Sequence, residues 1–149
     1  MAHRVLAIDF GMRRLGLAVS DTLGVIAQGL QTIERPNAGA GFSEIVDLVD
    51  QYEIREILIG NPLSKQGRAT EMSRRVAKFA DKLRRHVKCE VKLWDERLSS
   101  AEASRLLRSS GISLEKRRRA VDRVTATLFL QSYLDWRAYE QAHSGPEGQ

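Results

Sequence analysis

Three carboxylates of the sequence stand at the ends of predicted elements, where they could do chemistry together. Asp9 closes the apolar run 5–8, Glu96 follows a later strand-like run, and Asp122 falls in the first turn of a helix predicted to begin near residue 120. If the two strands are neighbours in a parallel sheet, the acids emerge at one edge, where their mutual repulsion calls for a cation. Carboxylates without histidine ligands favour Mg²⁺ or Mn²⁺. Two such ions about 3.5–4 Å apart can drive the hydrolysis of a phosphodiester.

Each of these acids also has a structural interpretation. Asp9 can cap the turn after its strand by accepting hydrogen bonds from backbone amides, and Asp122 suits the positive end of a helix dipole. Glu96 can pair with a neighbouring arginine at the surface. Asp21 and Asp95 compete for a place in the site, because strand alternation lets only one of Asp95 and Glu96 face it. The residue types alone leave these alternatives open.

The spacing of apolar residues predicts the elements that would position the acids. Strands are predicted over 5–8, 15–19, 25–34, 56–60 and 90–94, and helices over 41–52, 69–86, 99–109 and 120–141. The first two strands are joined by a short Gly-containing segment and predict an antiparallel hairpin. The element order predicts an α/β domain over 1–142, with a polar tail over 143–149. Its mixed five-stranded sheet would have an antiparallel meander of the first three strands and helices on both faces.

The composition is that of an ordinary soluble globular protein. The 149 residues are 42% hydrophobic and 29% charged, and no apolar run reaches the roughly 18 residues that a membrane span needs. Cys89 is the only cysteine, so we expect a structural thiol in a reducing compartment. The three histidines are scattered and lack zinc-site spacing. The sequence therefore predicts a cytoplasmic protein.

The distribution of basic residues indicates a polyanionic partner. The formal net charge is +5, and basic residues concentrate beside the candidate acids. A charge run is usually a solvated surface, but this placement favours phosphate contacts, which position a nucleic acid without reading its sequence. Aromatic residues make up only 6% of the chain, so base stacking is not the expected mode, and Trp94 is predicted to lie in the core. The predicted nucleic-acid-binding residues are Arg13, Arg14, Lys116, Arg117, Arg118, Arg119 and Arg123.

Four segments in chain order resemble the YqgF family, also called RuvX, of bacterial RNase H-like proteins related to the resolvase RuvC. They are DFGMRRLGLAVSD (9–21), IGNPL (59–63), DERLSS (95–100) and DRVTATLFLQSYLD (122–135). The resemblance extends over 4–136 and implies an RNase H fold. It also implies a divalent-metal nuclease whose acidic residues fall on Asp9, Glu96 and Asp122. Family membership further implies maturation of the 5′ end of pre-16S ribosomal RNA, and Holliday junction resolution is the alternative.

The sequence departs from the family pattern at two places, neither of them an expected ligand. Asn61 stands where the family more often has leucine, and Thr125-Ala126 replaces a usual pair of alanines. A DNA junction resolvase would use the same site but would need a dimer to cut two strands symmetrically. A non-catalytic nucleic-acid-binding factor in ribosome assembly would keep only the basic surface. We therefore expect structured RNA or branched DNA as the partner, in a ribosomal precursor particle or in recombination, and a monomer or a homodimer.

Overall fold

The computed structural model describes residues 3–95 and 114–143, with 114–123 described as backbone. It contains five strands and three helices in these ranges. The strands are β1 Val5–Phe10, β2 Arg14–Ser20, β3 Ala27–Glu34, β4 Glu56–Asn61 and β5 Glu90–Asp95, and the helices are α1 Phe42–Gln51, α2 Glu71–Arg84 and α3 Leu114–His143. Glu96 and the helix predicted over 99–109 lie outside the described residues. No helix in the described ranges is both long and apolar enough to cross a membrane.

The sheet has the strand order β3-β2-β1-β4-β5. The pairs β1/β2 and β2/β3 are antiparallel, whereas β1/β4 and β4/β5 are parallel. The predicted mixed sheet with an antiparallel meander is therefore confirmed. One premise about the acids was wrong, because β4 lies between β1 and β5. Asp9 and the end of β5 share an edge of the sheet without lying on neighbouring strands.

Helices cover both faces of the sheet, as predicted. Alternation along β1 places Ile8 in a buried cluster with Phe79 of α2 on one face. It places Ala7 in a second buried cluster with Phe129 of α3 on the other face. The sheet is thus buried on both sides near its centre, which explains the continuous apolar runs of β1 and β4. We call the two sides the α1/α2 face and the α3 face.

The helix boundaries follow from local capping chemistry. Thr70 caps α2: its hydroxyl accepts a hydrogen bond from the Ser73 amide at 3.0 Å, and the Ser73 hydroxyl accepts one from the Thr70 amide at 2.7 Å. Gly41 precedes α1 with φ of 103°, and a Cβ there would lie 3.1 Å from Leu15 Cδ1. Glycine suits this position for both reasons.

The final helix begins earlier than the sequence pattern predicted. It starts at Leu114, so Lys116, Arg117, Arg118 and Arg119 belong to α3 rather than preceding it. Their segment lacks apolar periodicity, but glutamate, lysine and arginine all have good helix propensity. Asp122 consequently lies about two turns inside the helix. The macrodipole interpretation of this acid was therefore wrong, since the effect fades beyond the first turn.

Candidate functional site

Asp9 lies at the carboxyl edge of the parallel strands, on the α3 face. It is half-buried and pairs with Gly16 across the hairpin. Alternation gives it the same face as Val5 and Ala7, which belong to the cluster under α3. A carboxylate on a central strand is held by backbone on both sides, so its position is well defined.

Arg35 fixes the turn that follows Asp9. Only 6% of this residue is exposed, and its guanidinium donates hydrogen bonds to the carbonyls of Gly11 at 2.9 Å, Ala38 at 2.9 Å and Ala40 at 3.1 Å. Its backbone amide donates to the Arg13 carbonyl at 2.7 Å. Burial lowers the pKa of Arg35 from its ordinary value. Sequence reasoning missed this residue, because an arginine beside a proline in a loop gives no signal of burial.

The same turn depends on a glycine and on aromatic packing. A Cβ on Gly11 would lie 2.5 Å from the Arg14 carbonyl oxygen, so a side chain there would force the backbone apart. The Arg35 guanidinium also lies over the ring of Phe10, 4.9 Å from its centroid. The main chain beyond Asp9 is therefore tightly constrained.

The second half of α3 crosses the amino edge of the sheet. The Gln131 side chain accepts a hydrogen bond from the Ala27 amide at 2.9 Å and donates one to the Val25 carbonyl at 2.8 Å. Ala27 pairs with Ser20, whose hydroxyl accepts a hydrogen bond from the Val5 amide at 2.8 Å. Gln131 is therefore roughly level with Val5. Further along, Arg137 reaches His3 and Glu56, and Glu56 pairs with Val5, so this half of α3 lies over the amino edge of the sheet.

Helix and strand spacing predict a level for helix position 122. Nine positions along the helix from 131 to 122 correspond to about 13 Å. Four positions along the strand from Val5 to Asp9 also correspond to about 13 Å. A helix that returned along β1 from Gln131 would therefore bring position 122 level with Asp9, and this juxtaposition stays a prediction.

The two competing acids lie elsewhere. Asp21 ends the antiparallel strand β2, at the amino edge, where its carboxylate accepts hydrogen bonds from the amides of Val25 at 2.7 Å and Ile26 at 3.1 Å. These hydrogen bonds hold the pKa of Asp21 below its usual value. Asp95 ends β5 at the carboxyl edge, but alternation gives it the face of Val91, which packs under α2. Neither acid lies on the α3 face with Asp9.

The Trp94 ring packs against the α3 cluster and meets the Tyr133 ring edge-on at 5.2 Å between centroids. Trp94 is thus partly buried against the core, as predicted. Glu96 itself lies outside the described residues, and its place in the site stays a prediction.

The predicted basic residues divide between two elements. Arg13 is exposed in the turn after Asp9, and Arg14 begins β2. The other five lie on α3 within two turns of position 122 or beside it. Their side chains are not described, so contact with nucleic acid stays a prediction for them. The five basic residues on α3 are Lys116, Arg117, Arg118, Arg119 and Arg123.

The donor atoms available at this edge are oxygens, which suit a hard divalent cation. In the described part of the chain, no three His, Cys, Asp or Glu side chains lie close enough to hold a metal; Glu96 and the Asp122 side chain fall outside that part. The hydroxyl oxygen of Thr125, one turn after position 122, is buried and has no hydrogen-bond partner among the described residues. The unpaired side-chain oxygen of Asn61 belongs to the other face, because Asn61 pairs with Asp95. A buried hydroxyl such as that of Thr125 is commonly satisfied by water or an ion, so the residues present fit a hydrated cation.

A second buried acid at the amino edge has a different character. Glu56 is 2% exposed and accepts hydrogen bonds from the Tyr133 hydroxyl, from Lys92 Nζ at 2.9 Å and from Arg137 at 3.3 Å. His3 Nε2 lies 3.0 Å away. Burial would raise the pKa of Glu56, but these hydrogen bonds and the Lys92 charge outweigh it and lower the pKa. The hydrogen bond to Glu56 in turn raises the pKa of Lys92.

This Glu56 network was not predicted from the sequence. A glutamate that opens a buried strand gives little signal, and its partners are distant along the chain, with Arg137 separated from it by 81 positions. Because the chain itself supplies the counter-charges, we assign the network to folding. Through Tyr133 and Arg137, the network attaches the second half of α3 to the sheet.

Comparison with known proteins connects this geometry to a family. The model of the family RuvX, described as "Holliday junction resolvase", matches residues 3–136. The chain belongs to the RuvX family. A relative from Koribacter versatilis is 45% identical over 138 residues, covering 93% of this chain and 90% of its own. A relative from Halalkalibacterium halodurans is 42% identical over 134 residues, covering 89% and 96%. Both bear the name "Putative pre-16S rRNA nuclease".

Solved structures confirm the fold of this RuvX member. Thermus thermophilus RuvC bound to a Holliday junction substrate matches with a TM-score of 0.54 at 10% sequence identity, covering 91% of this chain and 96% of that chain. A further Thermus thermophilus RuvC structure matches with a TM-score of 0.53 at 12% identity. The fold is therefore RNase H-like, as the sequence resemblance implied.

Proposed function

We propose that this chain is a metal-dependent endonuclease that processes the 5′ end of pre-16S ribosomal RNA. Relatives that are 40–45% identical bear the name of that activity. The observation that carries the proposal is the packing of α3 over the amino edge of the sheet, from which helix and strand spacing would set position 122 level with Asp9. A phosphodiester at that edge could then reach both acids.

The proposed site consists of Asp9, Glu96 and Asp122. These carboxylates would hold Mg²⁺ or Mn²⁺, two ions in our proposal, which when bound would supply an activated water and stabilise the departing 3′-oxygen. Asp9 would contribute most to placing the ions, because it lies on a central strand and Arg35 fixes the turn beyond it. Asp95, by contrast, has the strand parity of the face opposite Asp9.

The basic residues would position the RNA. Arg13 and Arg14 follow Asp9 in the hairpin turn, and the basic residues of α3 flank position 122. Contacts of this type bind phosphates irrespective of base sequence, and they weaken as salt displaces the RNA. We place the reaction in the cytoplasm, on a ribosomal precursor particle.

A cleavage assay with a matched pair of variants tests the proposal. Wild type, Asp9→Asn and Asp21→Asn would be incubated with Mg²⁺ or Mn²⁺ and an RNA spanning the 5′ end of 16S. We expect Asp9→Asn to lose on the order of 10²–10³-fold in cleavage rate, because it removes a charge that would hold the ions. Asp21→Asn makes the same chemical change at the other edge and should cleave normally. Equal activity of all three proteins would contradict the proposed site.

A junction resolvase is the second candidate, favoured by the description of the family and by the RuvC fold. The same assay with a four-way DNA junction separates the two functions. Symmetric cutting of the junction, with no cut in the RNA, would assign the chain to recombination and would require a dimer. Salt-sensitive binding without cleavage of either substrate would instead favour a non-catalytic assembly factor.

A further inference from the structure

The edge strand β3 is open to pairing in the described structure. It pairs with β2 on one side, and it ends the strand order of the sheet. In an antiparallel pair, about half of a strand's amides and carbonyls face away from its neighbour. Natural edge strands carry lysine, proline or a β-bulge that hinders further pairing. The sequence of β3, AQGLQTIE, contains neither lysine nor proline, and its pairing with β2 shifts register opposite Leu15 and Leu17.

An apolar groove runs beside this edge, between β3 and α1 on the α1/α2 face. Its volume is about 360 Å³, enough for several side chains of an extended peptide. Thr32 also lines the groove, and its buried hydroxyl oxygen has no hydrogen-bond partner among the described residues. The apolar lining consists of Leu17, Leu30, Ile33, Leu48 and Tyr52.

The charge around the groove is the reverse of the charge of the whole chain. Glu44 and Asp47 of α1 line it, both exposed, and no lysine or arginine is among its lining residues. The chain as a whole carries +5. An acidic rim repels the phosphates of a nucleic acid, and it would also repel the same rim on a second copy of the chain. A cationic partner is the complementary occupant.

We propose that the β3 edge and this groove bind an extended basic peptide segment of a partner protein by strand addition. Backbone groups of the peptide would pair with β3, and alternate apolar side chains would enter the groove. Lysine or arginine side chains that flank these apolar positions on the same face of the peptide would lie beside Glu44 and Asp47. The groove lies on the face opposite α3, so a bound peptide would leave the proposed nuclease site open. The proposal does not depend on nuclease activity.

Binding of a defined probe tests the proposal. The probe is a fluorescent nine-residue peptide with lysine at both ends, isoleucine or valine at the alternate positions between them, and serine at the remaining positions. Its binding to the full chain is followed by fluorescence anisotropy. The matched variants are Asp47→Lys, which lines the groove, and Asp50→Lys, which is exposed on the same helix but does not line it. We expect Asp47→Lys to weaken binding at least tenfold and Asp50→Lys to change it less than twofold. Equal weakening by the two variants would show a non-specific charge effect and overturn the proposal.

A second peptide separates strand addition from simple charge attraction. Proline in place of the central apolar residue keeps the charge but removes a backbone donor, so we expect binding to be lost. Bound wild-type peptide should also slow amide hydrogen exchange in β3 and leave α3 unchanged. Undetectable binding, or equal binding of the proline peptide, would overturn the proposal. A dimer in sedimentation that the peptide dissociates would assign the edge to a second copy instead.

Discussion

On the α3 face of the sheet, the carboxylates at the two edges have opposite environments. At the amino edge, Glu56 is 2% exposed and is surrounded by Tyr133, Lys92, His3 and Arg137. At the carboxyl edge, Asp9 is half-buried, and in our proposal Asp122 lies level with it. A buried acid with counter-charges from its own chain serves the fold, whereas acids of like sign gathered at one edge call for a cation from outside.

The two edges are coupled through one helix. Tyr133 and Arg137 fasten the second half of α3 to Glu56, and Gln131 fastens it to the loop before β3. These contacts set how far the helix extends along the sheet. They therefore determine where position 122 falls relative to Asp9, and the amino edge supports the geometry of the proposed site.

The largest stability effect should come from Glu56→Gln. The substitution removes the negative charge that Lys92 and Arg137 share, and leaves two cations close together. Breaking a buried ion pair in this way costs several kcal/mol; because Lys92 is partly exposed, we expect a loss of about 3 kcal/mol. Urea unfolding monitored by circular dichroism measures it.

The same measurement on Asp9→Asn provides the contrast. If Asp9 belongs to a site and not to the support of the fold, this variant should unfold within about 1 kcal/mol of wild type. A loss as large as that of Glu56→Gln would favour the turn-capping interpretation of Asp9. The distinction between the two edges would then fail.

Arg35→Lys should have an intermediate effect at the carboxyl edge. Lysine cannot reproduce a planar guanidinium that serves three carbonyls, so we expect a loss of about 2 kcal/mol in unfolding free energy. RNA cleavage should also fall, since the turn beyond Asp9 loosens. Arg74→Lys, at an exposed position of α2, is the matched control and should change neither quantity appreciably. Wild-type stability in Arg35→Lys would show that the turn holds without the guanidinium.

The dependence of the unfolding free energy on acid pH should show the contribution of Glu56, as a smaller effect. Its pKa is lowered in the folded chain, so the unfolded chain takes up the proton first as pH falls. The resulting stabilisation is complete above the ordinary glutamate pKa, near 4.5, and is lost as pH falls through the folded pKa. Asp21 contributes in the same direction, so the difference between wild type and Glu56→Gln is the informative quantity. Urea unfolding between pH 3 and 7 should show this difference shrinking at the acid end; a constant difference would contradict the assignment.

The sequence predicted the sheet well because each of its strands is a distinct apolar run between polar turns. It predicted Asp9 at a strand end for the same reason. It placed the start of α3 wrongly, because residues 114–119 have helix propensity without an apolar stripe. It could not distinguish Asp21 and Asp95 from a site residue, because that depends on strand order and on the parity of each acid in its strand.

Residues that act through distant partners gave no usable signal. The Glu56 network joins His3, β4, β5 and α3, and Arg35 joins its own loop to the hairpin turn at Gly11. Such contacts arise only when the elements pack. Charged side chains are usually exposed, so a sequence pattern assigns them to the surface. Burial of a charge is a tertiary property, and it was missed at both edges.

The smallest effect compares two buried threonine hydroxyls, Thr125 beside position 122 and Thr32 in the groove beside β3. Neither hydroxyl oxygen has a hydrogen-bond partner among the described residues. Valine keeps the shape and removes the desolvated oxygen, so Thr125→Val and Thr32→Val should each raise the unfolding free energy by about 1 kcal/mol. Thermal and urea unfolding check this expectation.

The two variants should differ in the metal dependence of RNA cleavage, although they should not differ in stability. If the Thr125 hydroxyl binds water around a cation at the carboxyl edge, Thr125→Val should need more Mn²⁺ for half-maximal cleavage and should bind Mn²⁺ more weakly in calorimetry. Thr32, which lines the groove on the α1/α2 face, is on the other side of the sheet from Asp9, so Thr32→Val should match wild type in both measurements. Identical metal dependence in the two variants would show that both hydroxyls are ordinary packing defects. The proposed cation site at the carboxyl edge would then consist of its carboxylates alone.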